Sequence, residues 1–143
     1  MKLEHDVTHL SNAPVDLWVR DEYIHLLVVR HPRTSAEHIN KALQDVNDLV
    51  RQAAIKHPNA TVDHITTALE DNIAMVRNLA IRRPNATVDH ITKALKDSDR
   101  FVRQAAVKHP NATVDHITSV LTDSSSMVRD AAHAALHKLE MKQ

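Results

Sequence analysis

One stretch of this chain is written three times. Residues 50–66 read VRQAAIKHPNATVDHIT, residues 76–92 read VRNLAIRRPNATVDHIT, and residues 102–118 read VRQAAVKHPNATVDHIT. Val50, Val76 and Val102 open the copies, so the period is 26 residues. A more divergent copy, residues 24–39 (IHLLVVRHPRTSAEHI), precedes them at the same spacing, and Asn12-Ala13-Pro14-Val15-Asp16 echoes the NATVD segment in a shortened unit. The last copy starts at Val128-Arg129 and has no HPNATVDHIT after it. Pro32, Pro58, Pro84 and Pro110 therefore mark a single repeat position. A unit this short cannot bury its own apolar face, so neighbouring units must stack to make a core.

Each unit reads as two short helices. The first is expected to start at Asp45, Asp71, Asp97 or Asp123 as N-cap. It should end before the proline, which disfavours helical geometry in the residue preceding it. Its apolar stripe is Leu49, Val50, Ala53 and Ala54, repeated as Met75, Val76, Leu79, Ala80 and as Phe101, Val102, Ala105, Ala106. The second helix is expected to begin at Ser35, Thr61, Thr87 or Thr113, with Val62, Ile65 and Leu69 and their equivalents on one side. Such helices are marginal alone in water, and stacking must supply their stability. A final helix running from Ser124 through Leu139 would turn Val128, Ala132, Ala135 and Leu139 inward and Arg129, Asp130, His133, His137 and Lys138 outward, capping the stack. Residues 2–10 are expected to form the corresponding N-terminal cap helix.

What the chain lacks narrows the chemistry. At a glycine share of about 7%, a chain of 143 residues would carry roughly ten glycines, and this one has 0. Gly-rich phosphate loops and dinucleotide fingerprints are thereby excluded. With 0 cysteines there is no disulfide framework, zinc finger, iron–sulfur cluster or thiol nucleophile. The start, Met1-Lys2-Leu3-Glu4-His5-Asp6, has no apolar signal core, and no stretch approaches the roughly 20 apolar residues of a membrane span. These features point to a soluble, cytoplasmic protein. The 18 basic and 18 acidic residues balance, so any charge-based function must come from arrangement.

The D-x-x-x-x-x-V-R-x-x-A pattern, as in residues 45–54 and 97–106, resembles HEAT-type helical repeats. The short period and the P-N-A-T-V-D-H-I segment are similar to the leucine-rich repeat variant, whose units pair an α-helix with a shorter helix in a right-handed superhelix without strands. The resemblance covers roughly residues 12–139. It implies an all-α fold: a right-handed α-solenoid of short two-helix repeats with terminal capping helices. Within a single repeat domain, 1–143, the boundaries fall at 1–11 (N-terminal cap), at 12–32, 33–58, 59–84, 85–110 and 111–123 (repeat units), and at 124–143 (C-terminal capping helix). The variant family's iron–sulfur module is bound by cysteines, which are absent here, so no cofactor carries over.

Two rows of polar residues repeat with the units. In HEAT-type repeats, which this chain resembles, the arginine after the valine joins the turn aspartate in a ladder; the matching residues are Arg51, Arg77, Arg103 and Arg129 with Asp45, Asp71, Asp97 and Asp123. A ligand contact is the other reading of those arginines. Positions 48, 52 and 56 and their equivalents stack into a strip with amides at Gln52, Asn78 and Gln104 and cations at Arg30, Lys56, Arg82 and Lys108, flanked by His31, His57, Arg83 and His109. At about 8 to 10 Å per helix layer, one cation per layer would meet every second or third duplex phosphate. The bland account is that these cations end their helices while Glu37, Asp63, Asp89 and Asp115 begin the next ones, both placements suiting the helix dipole.

The 12 histidines form no metal-ligand pattern: His57 and His64 recur across a proline turn, and equivalents in adjacent layers are too far apart to share one ion. His64, His90 and His116 follow an aspartate near a helix start and read as hydrogen-bonded packing residues. No nucleophile elbow or adjacent acid–base pair supports catalysis. HEAT-like solenoids resembling this chain include DNA glycosylases, which need aromatics and a carboxylate in the concave groove; Trp18, Tyr23 and Phe101 are the only aromatics, and Trp18 matches the core position of Ile65. The expectation is a non-catalytic binding module, with a protein partner first and nucleic acid, through the Lys/Arg/His ladder, as the alternative. No membrane, metal, cofactor or small-molecule substrate is expected.

Overall fold

In a computed structural model of the chain, the residues described are Leu26 and residues 29–142. The expected N-terminal cap, the shortened first unit and the core placement of Trp18 lie outside them. Among the described residues, eight complete α-helices and no strand are found. The chain groups into two compact units, 1–79 and 80–143. The first holds α1 (Ala36–Ala42), α2 (Asp48–Lys56), α3 (Val62–Ala68) and the start of α4 (Ala74–Ile81), and the second holds α5 (Val88–Ala94), α6 (Arg100–Lys108), α7 (Val114–Ser119) and α8 (Ser126–Met141).

The short helices begin where expected. Ser35, Thr61, Thr87 and Thr113 are their N-caps, each side chain accepting the backbone N–H of the histidine three residues on. The long helices start later than the aspartates implied. Asn47 caps α2 and Asp99 caps α6, while Ser125 precedes α8 without a side-chain cap bond. Asp45, Asp71, Asp97 and Asp123 instead accept the N–H two residues ahead, at 2.9 Å in each case, and so fold the turn before the helix. An Asx turn uses the same carboxylate chemistry as an N-cap, which is why the sequence pattern points to both. The helices α2 and α6 end against their prolines: His57 (φ −63°, ψ 137°) and His109 (φ −66°, ψ 138°) are extended, as a residue before proline prefers. No described residue takes a positive φ, so glycine is not needed at these connections.

The buried face of the long helices is rotated from the expected stripe. Val50, Ala54 and Ile55 are fully buried, as are Val102 and Ala106, with Val107 at 1% exposure. Leu49, Met75 and Phe101, expected inside, are 57%, 52% and 49% exposed. Adding position 55 to positions 50 and 54 shifts the buried arc by most of a residue's turn around the helix, so position 49 moves to the rim. Val62, Val88 and Val114 are likewise open, at 42%, 48% and 54%, while Ile65, Ile91 and Ile117 fill the interior. The valines hold the first helical position, ahead of the turn that packs. In the first unit α2 packs on α1 and α3. In the second α5 packs on α6, and α8 covers α6 and α7, burying Val128 and Ala132. His133, His137 and Lys138 on α8 face outward.

Candidate binding face

The repeated polar residues sort into three environments. The arginines that follow the buried valines are internal staples. In the first unit Arg51 Nε donates to Asp71 Oδ2 at 2.8 Å and its Nη2 to Oδ1 at 3.3 Å, while Nη1 donates to the Asp45 carbonyl at 2.7 Å. In the second Arg103 repeats the fork on Asp123 at 2.9 and 3.0 Å and reaches the Asp97 carbonyl at 2.8 Å. Arg77 and Arg129 donate to the carbonyls of Asp71 and Asp123. The paired side chains are about nine-tenths covered, with exposures of 11% and 8% for Arg51–Asp71 and 13% and 9% for Arg103–Asp123. Burial alone would raise the Asp123 pKa, but hydrogen bonds from Arg103 and the Ser125 amide, with the charges of Arg103 and Arg129, outweigh it and hold the carboxyl below its ordinary value.

Most of the described histidines are internal as well. His57 and His109 are only 3% and 7% exposed, which takes them out of the surface strip in which the sequence places them. Each Nδ1 accepts a backbone N–H, from Asn59 and Asn111, at 3.0 Å. The proton must therefore sit on Nε2, which donates to the carbonyls of His31 at 2.7 Å and Arg83 at 2.8 Å. Asn59 and Asn111 add side-chain bonds to the carbonyls of Thr34 and Ala86. His31 is half-buried and accepts the Arg33 N–H. Arg83, which holds the same repeat position, is half-buried.

The histidines of the short helices close capping boxes. Nδ1 of His64, His90 and His116 accepts the N–H of Thr61, Thr87 and Thr113 at 2.8, 3.0 and 3.0 Å, the task a Glu or Gln usually performs. His64 Nε2 then lies 3.1 Å from the Ala36 carbonyl, and His116 Nε2 lies 2.9 Å from Thr92 Oγ1. Burial lowers the pKa of His64, against the Ala36 hydrogen bond and the charge of Asp63, and lowers that of His90 against Asp89. The sequence marks His64, His90 and His116 as hydrogen-bonded packing residues but gives no sign of the partners that Nε2 reaches, beyond the return of histidine at the same repeat positions.

One side of the long helices also faces solvent. On α2 this side carries Leu49, Gln52, Ala53 and Lys56. Gln52 is half-buried and donates to Asp48 Oδ2 at 3.0 Å, while Lys56 and Arg30 are exposed. These residues, with Leu26, Val29, His57 and Pro58, line a groove of about 420 Å³. On α4 the side carries exposed Met75 and half-buried Asn78. In the second unit Arg82 is exposed, and α6 carries exposed Phe101 and Lys108 with half-buried Gln104 between them. The Arg100 guanidinium stands 5.3 Å from the Phe101 ring centroid. Each of these helices therefore offers one large apolar side chain near its start, followed by an amide, and on α2 and α6 a cation at the end.

No family model and no curated protein matches the chain. No three His, Cys, Asp or Glu side chains gather as a metal site among the described residues, and no described helix is long and apolar enough to cross a membrane.

Proposed function

We propose that this chain is a non-catalytic binding module, a right-handed α-solenoid of two-helix repeats that holds a cytoplasmic protein partner on the solvent side of its long helices. The alternation of short helices starting at 36, 62, 88 and 114 with long helices starting at 48, 74, 100 and 126 supports the repeat architecture. The observation that carries the function is the recurrence of a half-exposed Leu49, Met75 and Phe101 at one repeat position. Large apolar side chains left open at equivalent places are typical anchors for a partner, and flanking amides and cations would set its orientation.

Nucleic acid is the second reading, favoured by the exposure of Arg30, Lys56, Arg82 and Lys108. It would show as DNA or RNA affinity that falls steeply with salt. A protein-binding face predicts no nucleic-acid affinity at low salt. It also predicts that proteins captured by the chain from its host are lost when Leu49, Met75 and Phe101 are changed together to Asp. Capture unchanged by that triple substitution would move the site elsewhere.

A further inference from the structure

We propose that the solvent face of α6 in the second unit holds an extended acidic segment of a partner protein, with carboxylates on Arg100 and Lys108 and the segment's backbone on the Gln104 amide. The proposal rests on the protein-binding reading above and names the partner's chemistry. The helix contains no Asp or Glu, and of its three cations Arg103 is held by Asp123. Arg100 and Lys108 are exposed, as is Arg82, and among the described residues none of the three pairs with a carboxylate. At about 100° per residue, positions 100, 101, 104 and 108 fall within about 100° of the helix circumference, so both cations, Phe101 and Gln104 share one stripe. The 2.8 Å bond from His109 Nε2 to the Arg83 carbonyl sets the turn after Arg82 beside the turn after Lys108. An anionic occupant gains from these cations, whereas a basic one meets like charge.

The amide decides between a helical and an extended occupant. On α2 the matching Gln52 donates to Asp48 Oδ2 at 3.0 Å. Arg100 stands at the place of Asp48, so Gln104 has no carboxylate one turn back, and among the described residues its amide makes no hydrogen bond. A side-chain amide offers donor and acceptor together and is matched by a peptide group whose own N–H and C=O are open. A helix uses those groups internally, whereas an extended chain leaves them available. Arg100 and Lys108 are about 12 Å apart along the axis at 1.5 Å per residue, a span that four residues of extended chain cover at about 3.3 Å each. Acidic side chains at i and i+4 of a strand therefore meet both cations while a peptide group between them meets Gln104. The rings here do not suit single-stranded nucleic acid, which stacks successive bases on successive aromatic side chains. Phe101 is the one ring in the row Leu49, Met75, Phe101, and the Arg100 guanidinium already stands 5.3 Å from its centroid. His109, just past the helix, is 7% exposed and has both ring nitrogens on backbone groups.

The test is selection of a random peptide library, displayed on phage, against the whole chain at low salt. The expected result is enrichment of sequences with two Asp or Glu residues four positions apart. A synthetic copy of the enriched peptide should bind the Arg100→Glu, Lys108→Glu double variant at least about tenfold more weakly, and a copy with Lys in place of both acids should recover binding to that variant. Gln104→Leu should weaken binding about two- to tenfold. N-methylation of the peptide's central N–H groups should weaken binding to the natural protein and add no further loss for the Gln104→Leu variant. Circular dichroism checks that each variant folds, and Lys108→Glu alone carries the charge test if the double variant does not. Enrichment of neutral or basic peptides, no enrichment at all, or full affinity retained by a folded charge variant overturns the proposal and leaves the protein-binding reading standing. Equal losses on N-methylation with and without Gln104 overturn the extended occupant. Salt-sensitive binding of a single-stranded DNA oligonucleotide that the charge variant abolishes, with no peptide enriched, overturns both readings.

Discussion

His57 Nε2 lies 2.7 Å from the carbonyl oxygen of His31, one full period earlier in the chain. The same ring accepts the Asn59 N–H through Nδ1, so a single imidazole ties a proline turn to the turn of the preceding repeat. His109 does the same for Arg83 and Asn111. Changing His57 to Phe keeps a ring of similar shape and removes both bonds, taking the acceptor from the Asn59 N–H and leaving the His31 carbonyl with the Thr34 N–H alone of these two donors. The expected loss is about 1–3 kcal/mol in urea unfolding. An unchanged midpoint would show that the latch holds nothing.

Acid should loosen the fold through the short helices. His64 and His90 have lowered pKa values, so the folded state keeps them neutral while the unfolded chain takes up protons near pH 6.5. Their contribution is complete above that value and is lost as pH falls through it toward the lowered folded values. Gln is a regular capping-box residue and does not titrate in this range. Unfolding measured between neutral and mildly acidic pH should therefore be flatter for the His64→Gln, His90→Gln double variant than for the natural sequence. Equal slopes would contradict the assignment.

The staples Arg51–Asp71 and Arg103–Asp123 are nearly covered, and removing one partner strands the other. Arg103→Met or Asp123→Asn should each cost about 3 kcal/mol, and the double variant should cost much less than the sum. Arg103→Lys should recover little, because an ammonium cannot reproduce the two-pronged bond. Additive losses in a double-mutant cycle would mean that the two residues act independently.

The rotated apolar stripe has its own test. Ile55→Ala should cost about 2–5 kcal/mol, since the side chain is fully enclosed. Leu49→Asp, at a rim position, should stay within about 0.5 kcal/mol of the natural protein. A large loss at Leu49 would restore the inward placement.

The repeat itself made much of the helix pattern legible. Proline ended the long helices and Ser or Thr began the short ones because both act through local backbone geometry. The arginine–aspartate staples came with the family resemblance, and the forked bonds of Arg51 and Arg103 have that form. On α2, α4 and α6 the expected stripe is right at Val50, Ala54, Val76, Ala80, Val102 and Ala106 and wrong at Leu49, Met75 and Phe101, because positions 49 and 50 are adjacent and equally apolar and only packing decides which enters. The histidines were harder still. A buried imidazole with Nδ1 on one backbone N–H and Nε2 on a distant carbonyl has no local sequence signature, so the sequence places His57 and His109 in the surface strip, flanking Lys56 and Lys108.

The most direct measurement compares the two apolar rows in the host. A photocrosslinking amino acid placed at Leu49 or Phe101 reports on the long-helix face, and one placed at Val62 or Val114 reports on the short-helix face, where exposure is similar. The expected result is a protein crosslinked from positions 49 and 101 and not from 62 and 114. Crosslinks confined to the short-helix positions, or nucleic acid in place of protein at 49 and 101, would contradict a protein-binding face on the long helices.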